Sequence, residues 1–303
     1  MNPAPATIPV VLFAYARPAH LARALACLRE NTVPLIYAFA DGAKGAADAA
    51  AVAEARALLR GVDWCDLRLT ERAENFGLGR NVLAGVGEVA AHHEAFIVWE
   101  DDVVGVPGAY AWLAAALRRY AADARVMSVT AWTHPRVTPP DVGTQPYFDL
   151  RAECWTWGTW SRSWRGMAEE TARQKLAAAV AHGVPADACG ADLPVMVGLE
   201  QRLNIWAVRW LYHHLQHGGL CLRPPWSMAE HEGFEASATN AADAGAWANP
   251  PLRTAPPIPE VWPEPVLHPR CRDLWRAANP PVPFAWLRIL VRRFLRGRVS
   301  VVS

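Results

Sequence analysis

The residues best placed to do chemistry are Glu100, Asp101 and Asp102, three consecutive carboxylates after the apolar run Phe96-Ile97-Val98-Trp99. Like charges at this spacing repel one another, and a divalent cation or cationic side chains set among them relieve that cost. Their position at the tip of an apolar strand matters, because α/β proteins commonly bind ligands outside the carboxyl ends of buried parallel strands. A helix N-terminal cap is the plainer use of such acids, since Pro107 opens a helical stretch soon after. That role employs one acid and leaves two unexplained. Hard oxygen ligands favour magnesium or manganese.

The elements that must hold these acids alternate along the first 130 residues. Ile8–Tyr15 and Leu35–Ala40 are continuous apolar runs of strand length, and Asp66–Thr70 alternates like a strand. Helical patterns lie between them: a stretch opened by Pro18 with Leu21, Leu25 and Leu28 in step, an alanine-rich stretch over 46–59, and Gly77–Ala91. Pro107–Tyr120 reads as a helix and Val126–Thr130 as a strand. This alternation predicts right-handed βαβ crossovers and a mainly parallel sheet. The loops after the strands then share one edge and gather Arg17, Asp41, Arg80 and the three acids there.

Further on the pattern changes. Residues 154–164 carry Trp155, Trp157, Trp160 and Trp164, and 194–216 reads as one long helix with Trp206 and Trp210 on its apolar stripe. Trp206 and Trp210 read as core; Trp157 and Trp160 are candidates to line a sugar or acceptor pocket, since indole rings stack on apolar sugar faces. His213, His214 and His217 have a metal-like spacing without a carboxylate beside them, which favours a partly solvated helix end. Residues 249–269 are proline-rich and predicted to run extended over the surface. Residues 284–299 form a basic amphipathic stretch able to lie on an anionic membrane or to dock on the domain.

Bulk properties narrow the class. The 303 residues suffice for a large core, and a formal net charge of +1 gives no case for nucleic acid. Six scattered cysteines without a CxxC pair predict buried free thiols, and with no signal-like n-region the expectation is a cytoplasmic protein. No window reaches the roughly 20 apolar residues that a membrane span needs.

Seven motifs in order resemble the GT-A fold glycosyltransferases, in particular bacterial relatives of the N-acetylglucosaminyltransferase I group. They are Tyr15-Ala16-Arg17-Pro18, Phe39-Ala40-Asp41-Gly42, Asn75-Phe76-Gly77-Leu78, Glu100-Asp101-Asp102, Trp157-Gly158-Thr159-Trp160, Trp206-Ala207-Val208-Arg209-Trp210 and Gly233-Phe234-Glu235-Ala236-Ser237. The resemblance covers about residues 8–240 and implies a Rossmann-like α/β domain. Residues 1–131 would form its donor-binding half, 132–248 its acceptor-side half, and 249–303 an extension with a basic tail. It implies an inverting, metal-dependent transfer from a nucleotide diphosphate sugar, usually UDP-linked, to a glycan or lipid-linked acceptor. Asp102 would ligate Mn2+ or Mg2+, Glu100 and Asp101 would reach ribose and sugar, Arg17 the base or diphosphate, and Asp41 the base. Arg80 opens a helix and would meet phosphate.

The likeness breaks on the acceptor side. An inverting transferase needs a base for the acceptor hydroxyl. The family's aspartate in the Trp206–Trp210 helix is replaced by Asn204, and the later loop carries Glu235 for Asp and Asn240 for His, with His231 nearby. Glu200, one turn before Asn204, is the first substitute base and Glu235 the second. A sugar nucleotidyltransferase is disfavoured because no glycine- and lysine/arginine-rich loop follows the first strand. A degenerate binder of nucleotide or glycan stays open on Asn204 and Asn240.

Overall fold

The structure, a computed structural model, describes residues 7–203, 205–233 and 247–283. The chain runs β1 (Val10–Ala14), α1 (Pro18–Glu30), β2 (Leu35–Ala40), α2 (Ala46–Arg60), β3 (Asp66–Glu71), α3 (Leu78–Ala90), β4 (Ala95–Glu100) and β5 (Val103–Gly105). It continues through α4 (Ala109–Arg119), β6 (Val126–Thr130), β7 (Tyr147–Asp149), β8 (Trp157–Trp160), α5 (Ser161–Trp164) and α6 (Ala172–Ala181). Last come α7 (Asp192–Leu203), α8 (Trp206–Gln216), β9 (Leu220–Arg223), β10 (Ala229–His231) and α9 (Cys271–Ala278).

Among the described residues one eight-stranded sheet has the order β3-β2-β1-β4-β8-β6-β9-β7. β3, β2, β1 and β4 are parallel to one another, and β6 is parallel to β9, while β8 and β7 run antiparallel to their neighbours. This is the mainly parallel, Rossmann-like α/β architecture expected of a GT-A domain. The sheet passes without a break from β6 to β8 and β9, across the 131/132 boundary.

The continuous apolar runs follow from burial on both faces. Val10, Leu12, Ile36, Ala38, Ile97 and Trp99 point to one side, under Leu21, Leu25 and Leu28 of α1 and Leu113 and Leu117 of α4. Their alternate neighbours Val11, Phe13, Tyr37, Phe39, Phe96 and Val98 meet Val82, Val86 and Val89 of α3 and the indoles of Trp206 and Trp210. The approach of α3 is close: a Cβ on Gly85 would come within 2.8 Å of the Phe13 and Phe39 rings.

Several expectations change. The single helix over 194–216 is two helices, α7 and α8, which meet around residue 204. Trp157 and Trp160 are strand residues of β8 whose side chains enter opposite cores; both are buried and neither is among the residues lining the main cavity. The Trp-rich stretch is an antiparallel strand inserted between β4 and β6, which local pattern does not reveal. His213 and His214 are buried, not solvated: His213 Nδ1 accepts from Lys175 Nζ at 3.1 Å, and its Nε2 lies 3.0 Å from the Ser163 carbonyl. All six cysteines are free thiols.

The proline-rich extension does cross the surface, but it is anchored. The Trp262 ring sits 5.7 Å from Trp112 and 5.9 Å from Tyr120, Leu267 bridges to Phe148, and α9 carries a buried Trp275 back into the body. The basic stretch 284–299, with Asn204, Glu235 and Asn240, lies outside the described residues. No helix among the described residues is long and apolar enough to cross a membrane.

Candidate active site

The strand order reverses between β1 and β4, because the chain steps outward through β2 and β3 and then returns to the other side of β1. Crossovers leave the sheet on opposite faces at such a point, and a crevice opens at the carboxyl ends of the two strands. The loop 15–17 and the acids 100–102 flank it. A cavity of about 610 Å³ occupies this position.

Register fixes the first contacts. Phe13 pairs with Glu100 across β1 and β4, so the next residues of both chains lie together. The Tyr15 N–H donates to Asp101 at 2.9 Å. Arg17 Nη1 donates to Asp102 Oδ2 at 2.6 Å, in a pair with little solvent exposure on either side. Burial, with Asp102 adding to it, pushes the Glu100 carboxyl well above its usual range and lifts Asp101 to about 7.

His231 completes the cluster, and the path to it is tertiary. β10 pairs antiparallel with the short β5, setting His231 opposite Val103. The Glu232 N–H donates to the Asp102 carbonyl at 2.7 Å. His231 Nε2 then lies 3.4 Å from Asp102 Oδ1, and burial lowers the imidazole pKa from its usual value.

Glu100, Asp102 and His231 present ligand atoms within 4.8 Å of one another. Asp102 Oδ1 is buried and accepts no hydrogen bond, so although Oδ2 is paired with Arg17, one oxygen of the carboxylate is left for a cation. These residues fit a divalent ion. Asp102 is the best ligand among them, because His231 carries a condition. The Gly233 N–H donates to its Nδ1 at 3.1 Å, which leaves the proton on Nε2. Ligation through Nε2 needs the opposite tautomer and would give up the Gly233 contact.

Asp41 lies on the cavity wall, but its carboxylate is committed. Oδ1 accepts from the Gly42 and Phe76 N–H groups at 2.9 and 2.7 Å, and Oδ2 from Gly77 N–H and Asn75 Nδ2 at 2.9 and 3.2 Å. Four donors fill its lone pairs, leaving none for a base. Asp41 therefore positions the Asn75-Phe76-Gly77 loop instead of reading a ligand. Two glycines make this possible: a Cβ on Gly42 would strike the Glu74 backbone, and Gly77 has φ of 71°.

Arg80 and Glu200 are not brought to the acids. Arg80 is exposed, 3.3 Å from Glu74 and 3.7 Å over the Phe76 ring. Glu200 is buried, with Oε1 2.7 Å from Arg209 Nε and Oε2 accepting from the Ala172 N–H at 3.0 Å, where it caps α6. Both residues line a second cavity, which shares Ile205 and Trp206 with the first. Glu200 is thus a structural ion-pair partner, not a base facing the acids.

The far end of the main cavity holds Trp155, from the tryptophan-rich stretch 154–164, and residues not singled out from the sequence: Trp132, Trp247 and Trp275, with Arg151, Glu153 and Asp192. The signal present was tryptophan in otherwise polar or proline-rich sequence. Each of these two acids is engaged. Arg151 grips Asp192 at 2.8 and 3.1 Å, and Glu153 takes the Cys154 N–H at 2.9 Å and faces Arg223 at 3.4 Å.

No family model and no curated protein matches the sequence. Solved structures overlap it in part. One is a mannosyltransferase from Pyrobaculum calidifontis in complex with GDP-Man and Mn2+, at TM-score 0.38 and 15% identity, over 54% of this chain and 46% of that one. The match thus spans about half the length of that enzyme. Another is a UDP-glucose pyrophosphorylase complexed with UDP-glucose, at TM-score 0.32 and 12% identity, over 54% and 80% of the two chains. A third is a UDP-glucose pyrophosphorylase from Acinetobacter baumanii, at 0.31 and 12%, over 55% and 78%. Overlaps this partial carry no argument about function, which rests on the cavity itself.

Proposed function

We propose that the chain is a metal-dependent glycosyltransferase that takes a nucleotide diphosphate sugar, UDP-linked by the family likeness, and passes the sugar to a glycan acceptor with inversion. One observation carries the reading. A buried carboxylate with an unpaired oxygen, Asp102, sits with Glu100 and His231 at the strand crossover where α/β sheets bind nucleotides. The kinship with the N-acetylglucosaminyltransferase I group rests on the seven motifs alone.

In this reading Asp102 and Glu100 hold Mn2+ or Mg2+, with His231 available as a third ligand. The ion would neutralise charge on the departing diphosphate. Arg17, already on Asp102, is placed to meet the same phosphates. Asp101, held by the Tyr15 N–H, faces the sugar or ribose. Asp41 keeps the 75–77 loop rigid beside the base. Since Glu200 is bound to Arg209, Glu235 is the base candidate that remains from the sequence. The engagement of Glu200 also favours a second reading, a protein that binds donor without turnover.

A thermal-shift screen of nucleotide sugars with and without Mn2+ tests the donor site. A shift that needs both components, and that Asp102→Asn abolishes, is the expected result. No shift with any nucleotide sugar would refute the reading. A shift without donor hydrolysis or transfer would select the binder.

A further inference from the structure

Four tryptophans wall a chamber at the far end of the cavity: Trp132 and Trp275 are buried in a small core, and Trp155 and Trp247, packed against it, are partly exposed. Trp132 and Trp155 meet edge to face at 5.1 Å and 83°, and Trp247 and Trp275 stack at 5.7 Å and 24°. Trp132 and Trp247 join the two pairs at 6.3 Å. The Trp155 ring lies 4.8 Å from His231, so the aromatic wall runs from the acidic cluster into the chamber. Trp247 and Trp275 come from the segment after residue 246, far in sequence from the donor loops.

The charges around this wall cancel. Arg223 and Asp149 are both 0% exposed and paired at 2.7 Å, Glu153 stands 3.4 Å from the same guanidinium, and Arg151 is clamped on Asp192. Arg136 lies over Trp247 and donates to the Ala278 carbonyl at 3.3 Å. Three arginines thus balance three acids. Among the described residues these arginines and acids leave no net charge on the wall to hold a phosphate, a carboxylate or an ammonium group. Trp132 Nε1 is buried without a hydrogen-bond partner, and Asn279 adds an amide to the lining.

The geometry points to an acceptor subsite for an uncharged pyranose, which matches apolar indole faces with its C–H face and polar edges with its hydroxyls. Acidic, phosphorylated and cationic sugars are disfavoured there. The assignment as acceptor site rests on the transferase reading; the preference for a neutral ring rests on the chamber alone.

Binding can be followed by saturation-transfer NMR and by quenching of tryptophan fluorescence. The probes are the methyl glycosides of glucose, galactose, mannose and N-acetylglucosamine, against methyl glucuronide, glucose 6-phosphate and glucosamine. At least one neutral glycoside should saturate at millimolar concentration and bind about tenfold more tightly than its charged counterparts. Trp247→Ala and Trp155→Ala, which remove the two partly exposed indoles, should each weaken it about tenfold. The inference is overturned if no neutral glycoside binds, if a charged sugar binds more tightly, or if both variants bind like the parent. Thermal shifts with Mn2+ and nucleotide sugar, read on the same samples, keep the two questions apart. Glycoside binding without a donor shift would sink the transferase reading and leave a carbohydrate site, and the converse would sink only the chamber.

Discussion

The acids at the end of β4 make a prediction that needs no substrate. Asp101 has a folded-state pKa of about 7, against 3.8 for an ordinary carboxyl, because burial and Asp102 oppose its charge. Between those two values the folded chain binds a proton that the unfolded chain has released. Stability therefore falls as pH rises through this window. The slope is about 1.4 kcal/mol per pH unit, so the window costs roughly 4 kcal/mol in all. About 3 kcal/mol of it falls between pH 5 and pH 8. Asp101 is only half-buried as a residue, which makes these figures a ceiling. Asp101→Asn removes the titration while its amide oxygen can still accept from the Tyr15 N–H. Urea unfolding of metal-free protein at pH 5 and pH 8 should show the variant losing about 2–3 kcal/mol less than the parent over that interval. Mn2+ should act in the same direction on the parent, adding about 2.7 kcal/mol at a hundredfold excess over its dissociation constant and more at pH 8 than at pH 5. Equal pH profiles for parent and variant, or no stabilisation by Mn2+ at pH 8, would refute the account of the cluster.

Two other outcomes follow from buried pairs. Asp149→Asn leaves Arg223 buried with only Glu153 to oppose it and weakens the bond from Trp275 Nε1 at 2.7 Å, so unfolding should become about 3–5 kcal/mol easier in urea. Unchanged stability would show that the pair is dispensable. Glu200→Gln breaks the pair with Arg209 and should lower the thermal midpoint, yet keep the Mn2+-dependent shift with nucleotide sugar. Loss of that shift in a folded variant would return Glu200 to the site.

Much of the donor side was readable from residues 8–131. Uninterrupted apolar runs announce strands buried on both faces, and turns of Asp-Gly or Arg-Pro type mark where they stop. Once βαβ handedness places those stops on one edge, Arg17, Asp41 and the acids must be near one another. Arg80 and Trp157 failed for local reasons. A helix N-terminus says where a backbone points but not where a long side chain goes, and a tryptophan in a strand looks the same whether its face is wet or dry.

What the sequence determined by itself is the parallel sheet and its acidic edge, because period and strand ends are local properties of the chain. What only tertiary structure decided is the rest of the cavity. His231 reaches Asp102 through the pairing of β10 with β5, across more than a hundred residues, and no spacing encodes that register. Trp275 reaches the chamber because α9 folds back so that its indole bonds to Asp149, which Arg223 already holds. Asp41 lost its expected role for the same reason: three backbone N–H groups and one amide claimed its oxygens, and those donors converge only in the folded loop.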